Sequence, residues 1–254
     1  MKILAVSDTE DKVLESALEN YSDRFKDINY IFSCGDLPKK YLEYITDASG
    51  KSLYFVSGNH FGMQLYAYAS KRKIAKKLYL GKGMRLHSGG VDMHGRVEVL
   101  DGYIVAGFGG SMRYNPGFFQ FEEAEMEKLV NKAKFEIIKR RVLDFLLFRK
   151  RKEIIVISHA PPQDIHDKDD RCHKGFKCFK KFLFNVKPVL WLHGHIHFEG
   201  QNNRQQTVLD NTLVVNVYSS KIINIDGKQV TVKPVCADKY CSVDPKTSRI
   251  DTVI

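Results

Sequence analysis

The sequence predicts an α/β fold, and three features carry that prediction. Short apolar runs alternate with stretches whose apolar residues recur at helical spacing. Five of the apolar runs end in a carboxylate, amide or imidazole side chain. The C-terminal part is a series of short strand patterns broken by turn signals. The 254 residues can bury a sizeable core without staples. No linker, repeat or low-complexity tract divides them, so a single domain over residues 1–254 is expected.

The elements follow in order. Residues 2–7 are a strand pattern that ends in Ser7-Asp8-Thr9-Glu10. Val13, Leu14, Ala17, Leu18 and Tyr21 then recur at helical spacing. A second apolar run over 29–34 ends in Gly35-Asp36-Leu37-Pro38, and a short helix is expected over 41–45. A third run over 52–56 ends in Ser57-Gly58-Asn59-His60. Residues 61–80 are aromatic and basic and read as helical. Asp101-Gly102 between two β-branched runs is a hairpin signal. The second of those strands leads into Gly109-Gly-Ser-Met-Arg113. Residues 121–152 have helical composition, acidic at the start and basic at the end, as a helix dipole favours. A run over 153–157 ends in Ser158-His159-Ala160-Pro161. A polar loop over 163–174 leads to a helix bearing Phe176, Phe179, Phe182 and Leu183. A run over 189–192 enters His193-Gly-His195-Ile-His197, and the tail reads as antiparallel strands over 212–218, 221–225 and 229–232.

Composition narrows the function. The formal net charge is +10, with basic clusters at 71–73, 76–77, 139–141, 149–152 and 177–181. Such a balance suits an anionic substrate, and nucleic acid is a further option that is not favoured. No apolar run is long enough to span a bilayer, so no membrane partner is expected. The N-terminus reads as a strand rather than a signal peptide, which places the chain in the cytoplasm. Five cysteines, without a C-x-x-C pair, read as free thiols in a reducing compartment. A zinc site from Cys172, His173 and Cys178 is disfavoured by its spacing.

In α/β sheets, ligands bind beyond the carboxyl ends of the strands. Asp8, Asp36, Asn59, His60, His159, His195 and His197 therefore converge on one edge. Alone, an Asp or Asn at a strand end is usually a cap or turn residue. Their joint occurrence at five strand ends makes that reading weak for the set.

These residues resemble the calcineurin-like metallophosphoesterases. That family's pattern is D-x-H, G-D, G-N-H, a strand-terminal H, then G-H-x-H. Here it reads Asp8-Thr9-Glu10, Gly35-Asp36, Gly58-Asn59-His60, His159 and Gly194-His195-Ile196-His197. The resemblance implies a four-layer α/β/β/α sandwich of two mixed sheets flanked by helices, with the C-terminal strands in the second sheet. It implies two divalent transition-metal ions, with manganese favoured and iron, zinc, cobalt or nickel as alternatives. Asp36 would bridge them, Asp8 and His197 would serve one, and Asn59, His159 and His195 the other. A hydroxide held between the metals would attack phosphorus in line, and His60 would stabilise the transition state or protonate the leaving oxygen.

The sequence departs from the pattern twice. Glu10 stands where the family has histidine. It either coordinates, directly or through water, or begins the following helix; coordination is the reading taken, and it favours a harder ion. Phe61 follows His60 where an acid is common, which bears on His60 orientation rather than on metal binding. Arg113 could reach a phosphate, or be a surface arginine. The loop carrying Asp167, Asp169, Asp170 and His173-Lys-Gly175 resembles a subgroup of small phosphodiesterases and is expected to shape the substrate pocket, or else to be a solvated acidic loop. His193 has no role in the pattern and is expected to be structural. The activity expected is hydrolysis of a phosphodiester, or of a phosphomonoester. A nuclease and a catalytically weak interaction scaffold are the alternatives.

Overall fold

The structure, a computed structural model, describes residues 1–60, 90–117, 119–197 and 205–235. The basic helix expected over 61–80, Phe61, and Cys236 and Cys241 lie outside the described residues.

Two six-stranded sheets form the centre. The first contains β1 (Lys2–Ser7), β2 (Tyr30–Ser33), β3 (Ser52–Phe55), β4 (Val91–Asp92), β13 (Ser219–Asp226) and β14 (Gln229–Pro234), in the order β14-β13-β1-β2-β3-β4. The second contains β5 (Val97–Leu100), β6 (Tyr103–Phe108), β9 (Ile154–Ser158), β10 (Leu190–His193), β11 (Gln206–Leu209) and β12 (Thr212–Asn216), in the order β11-β12-β10-β9-β6-β5. A small ribbon of β7 (Ser111–Met112) and β8 (Gln120–Phe121) stands apart. Both sheets are mixed. β1 to β4 run parallel and β13 joins β1 antiparallel, while β6, β9, β10 and β12 run parallel between antiparallel edges.

Alternation along the strands builds three cores. Ile3 and Ala5 of β1, Ile155 and Ile157 of β9, and Leu190 and Leu192 of β10 meet between the sheets. Leu4 and Val6 face the other way, onto α1 (Lys12–Asn20) and α2 (Lys39–Ser49). Ile154, Val156 and Trp191 face α3 (Glu123–Leu146) and α4 (Lys177–Val186). This is the four-layer sandwich the sequence implied.

Local details follow from chemistry. Asp101 and Gly102 turn the β5–β6 hairpin with φ of 46° and 81°, as an Asp-Gly turn requires. The tail departs from expectation, and β13 and β14 join the first sheet, beside β1, rather than the second. β12 pairs parallel with β10 and is antiparallel only to β11, because Val214 and Val215 are both fully buried and suit an interior strand. The long helix also ends earlier than expected, at Leu146 rather than at residue 152. There Phe148 takes φ of 51°, and Lys152 folds back to pair with buried Asp144 at 2.7 Å.

Candidate metal centre

The carboxyl ends of β1, β2, β3, β9 and β10 bring the seven residues together. Asp8, Asp36 and His195 each sit at positive φ, 67°, 53° and 69°, so the chain leaves the strand sharply and turns the side chain inward. Glycines permit the packing around them. A Cβ on Gly58 would overlap Asp36 Oδ1, and one on Gly194 would overlap Ser7 Oγ and lie 2.5 Å from Asp8 Oδ2.

Asp36 and His159 form the buried heart of the site, with His159 Nε2 and Asp36 Oδ2 3.1 Å apart. His159 Nδ1 faces the Cys34 carbonyl at 2.8 Å, so it carries a proton and donates it. Nε2 then points at the Asn59 side-chain oxygen, also at 2.8 Å. The Asn59 amide nitrogen donates to Tyr114 Oη at 2.9 Å, which fixes the oxygen inward. Two oxygen acceptors therefore converge on one imidazole nitrogen. Burial disfavours a charge on His159, but Asp36, then Asp8 and the Cys34 carbonyl, overcome it and raise the ring to about 9. Burial likewise opposes ionisation of Asp36, and the charges and hydrogen bonds of His159 and His60 bring it down to about 2.

His195 closes the cluster. Ligand atoms of Asp36, His159 and His195 lie within 4.8 Å of one another. The Nε2 of His195 faces the Cys172 carbonyl at 2.8 Å, so Nε2 is the protonated nitrogen and Nδ1 keeps its lone pair. Burial, then the His159 charge, lower the ring to about 3. Asp8 is held by the His195 backbone N–H, 3.0 Å from both carboxylate oxygens. His197 is half exposed, with Nε2 3.7 Å from Asp8 Oδ1, and that contact raises its pKa against burial. His60 lies at the solvent side, and its backbone N–H donates to Asp36 Oδ1 at 3.0 Å.

The remaining candidates are placed differently. Glu10 is exposed, and its carboxylate lies 3.9 Å from Lys12 Nζ at the start of α1, outside the buried cluster. Arg113 pairs with Glu125 at 2.6 Å and Glu122 at 3.3 Å, at the first turn of α3. His173 comes close to the centre: its ring is 5.3 Å from that of His195, and its Nδ1 faces both Asp170 oxygens at 2.9 Å. Cys172 and His173 thus bring the 163–174 loop against the G-H-x-H segment. His193 is fully buried and joins the Gly194 carbonyl to His166 at 2.9 and 2.8 Å, a structural link. Three contributors are not legible in the sequence: Tyr114 and the backbone carbonyls of Cys34 and Cys172. Tyr114 follows Arg113 in a segment already singled out, and the two carbonyls carry no side-chain signal at all.

A model of the calcineurin-like phosphoesterases matches residues 1–199. The chain belongs to that family. Membership implies a metal-dependent hydrolase of phosphoesters, and calcineurin-like phosphoesterases typically use a dinuclear centre, for which candidate ligands are present here. No curated protein matches the chain. Among solved structures it is similar to TT1561 of Thermus thermophilus, with 16% identity and a TM-score of 0.53 over 91% of this chain and 97% of that one. It is also similar to a dimetal phosphatase from Danio rerio, with 10% identity and a TM-score of 0.50 over 91% of this chain and 98% of that one. At such identities the likeness shows the fold.

The donors suit metal ions. Asp8 and Asp36 bring two carboxylates into a largely buried site, which is costly unless cations compensate them. The proton on His159 Nε2 lies among the oxygens of Asp36 and Asn59, where a divalent ion would be equally well surrounded.

Proposed function

We propose that this calcineurin-like phosphoesterase hydrolyses a phosphodiester in preference to a monoester, as one domain over residues 1–254. Asp36 would bridge two divalent ions, Asp8 and His197 would hold one, and Asn59, His159 and His195 the other. The convergence of Asp36 and Asn59 oxygens on His159 Nε2 is the observation that carries this reading. Bound there, the ions would polarise a phosphoryl group and make water acidic enough to yield a nucleophile near neutral pH.

The chain's own residues do the rest. The Cys34 and Cys172 carbonyls hold the protons on His159 Nδ1 and His195 Nε2, so His195 presents its Nδ1 lone pair and His159 would present Nε2 once a metal displaced its proton. His60, anchored through its N–H to Asp36, would give a proton to the leaving oxygen from the open side. His173, beside His195, would face substrate. Arg113 could meet a phosphate only by leaving Glu122 and Glu125. Glu10 would reach an ion through water, since its carboxylate is exposed near Lys12. Oxygen donors from Asp8, Asp36 and Asn59 favour manganese. The diester preference rests on the Asp167, Asp169, Asp170 and His173-Lys-Gly175 pattern. The free thiols of Cys34, Cys172 and Cys178 suit the reducing cytoplasm.

The test is to strip the protein with chelator and reload it with manganese, cobalt, nickel or zinc. Bound metal is then counted, and hydrolysis of bis- and mono-p-nitrophenyl phosphate is measured. Asp36→Asn should weaken metal uptake and lower kcat by about two to three orders of magnitude, the loss of several kcal/mol of transition-state stabilisation. Full activity in that variant would refute the bridging role. Faster cleavage of the monoester would refute the diester preference.

A further inference from the structure

Helix α3 has two apolar stripes. Met126, Val130, Ala133 and Ile137 pack into the core. Phe135, Ile138, Val142, Phe145 and Leu146 recur at the same spacing on another face, and all are exposed. Phe135 is 65% exposed and Phe145 79%. The stripe continues into the turn after the helix, where Phe148 stands 99% exposed. That turn is not a frayed end. Phe148 N–H donates to the Phe145 carbonyl at 3.1 Å and Arg149 N–H to the Asp144 carbonyl at 2.8 Å. The buried Asp144–Lys152 pair at 2.7 Å clamps the returning chain.

Charge surrounds this apolar ridge. Between residues 128 and 152 the chain carries ten Lys and Arg against two acids. At the helical period, Lys132 and Lys139 flank one side of the stripe, and Lys134 and Arg141 the other. Arg149, Lys150 and Arg151 follow the apex and are exposed. A surface this basic repels a second copy of itself. Phe145 and Phe148 protrude at its tip, 79% and 99% exposed. Protruding apolar side chains ringed by long cationic ones match a lipid interface, where rings enter the acyl boundary and Lys and Arg reach the headgroups.

We propose that the C-terminal end of α3 and the Leu147–Phe148 turn dock this protein on an anionic lipid bilayer. This is peripheral attachment: among the described residues no helix is long and apolar enough to cross a membrane. It departs from the sequence expectation of no membrane partner. It also fixes an orientation. α3 enters β9 at Ile154, whereas His159 follows the other end of β9, so the docking tip and the metal centre lie at opposite edges of the sheet. A helix of 24 residues is about 36 Å long. The centre would face away from the lipid, and its substrate would come from the aqueous side.

The test is flotation of the full chain with phosphatidylcholine vesicles, with and without phosphatidylserine, alongside hydrolysis of bis-p-nitrophenyl phosphate. The expected result is binding to the serine-lipid vesicles only, weakened by salt. Binding should fall roughly tenfold or more in Phe145→Ser/Phe148→Ser and in Arg149→Glu/Lys150→Glu/Arg151→Glu. Hydrolysis should be unchanged, since none of these residues belongs to the metal centre. Failure to bind anionic vesicles overturns the proposal. So does full binding by the serine variant, which would reduce the effect to charge alone. Light scattering and a duplex-binding assay cover the other occupants. A dimer that the serine variant dissolves, or tight duplex binding lost in the same variants, with no vesicle binding, would also overturn it.

Discussion

The amide of Asn59 is held by Tyr114, whose phenol oxygen accepts from its nitrogen at 2.9 Å and leaves the oxygen aimed at His159. Tyr114→Phe removes that acceptor with little change of shape. The expected outcome is a roughly 10- to 100-fold loss of metal affinity, the usual effect of losing a group that orients a ligand. Activity should recover as metal is raised, and circular dichroism should be unchanged. Gly194 is a second single-residue control. Gly194→Ala puts a methyl group against Ser7 Oγ and Asp8 Oδ2. Overpacking there should cost about 1–3 kcal/mol and displace Asp8. A variant with wild-type urea midpoint and metal content would show that the β1 and β10 loops can part without penalty.

At the scale of elements, α1 is fastened by Asp11. Its Oδ1 accepts from Val13 N at 2.9 Å and Leu14 N at 3.3 Å, capping the helix. Its Oδ2 accepts from Ser219 Oγ at 2.8 Å and from Ser220 Oγ, tying the helix start to β13. Its backbone N–H donates to Tyr41 Oη of α2 at 3.0 Å. One residue thus joins three elements next to Asp8 and Glu10. Asp11→Ala should cost about 2 kcal/mol, since a lost cap adds to two hydroxyls left without their acceptor. Chemical denaturation would measure it, and an unchanged midpoint would show that the serines find other partners. In sequence Asp11 was one more acid after Glu10. The apolar runs and the helical spacing are legible because they are local, whereas the partners of Asp11 lie 30 and more than 200 positions away.

For the whole molecule, acid stability depends on imidazoles that the fold shields from water, and His94 is one. His94 is partly buried against Phe119 and Phe121, takes the Gly109 N–H on Nδ1 at 2.9 Å and stacks on Phe121. Burial lowers its pKa from 6.5 to about 4. The unfolded chain therefore binds a proton below pH 6.5 that the folded chain refuses until about pH 4. Stability falls as pH drops through that window, by about 1.4 kcal/mol per pH unit for this one group. His94→Gln, which retains a polar side chain, should remove one proton's worth of the slope. Urea midpoints from pH 7 to 4 would check it, and parallel curves for the two proteins would contradict it.

The sequence by itself determined the layers and which polar side chains stand at the strand ends. Continuous apolar runs in β1, β9 and β10 and helical spacing in α1 and α3 are properties of neighbouring residues, and the polar side chains at strand ends follow from the strands. Only the tertiary structure decided how those side chains are oriented and which surfaces remain uncovered. The tautomer of His195 is set by a carbonyl 23 residues away, and that of His159 by one 125 residues away. Arg113 looked available until the fold set Glu122 and Glu125 beside it. The two apolar stripes of α3 look alike in the sequence, because hydrophobicity is written in the chain but exposure is not. Exposure depends on what the other layers cover, and here they cover one side of the helix.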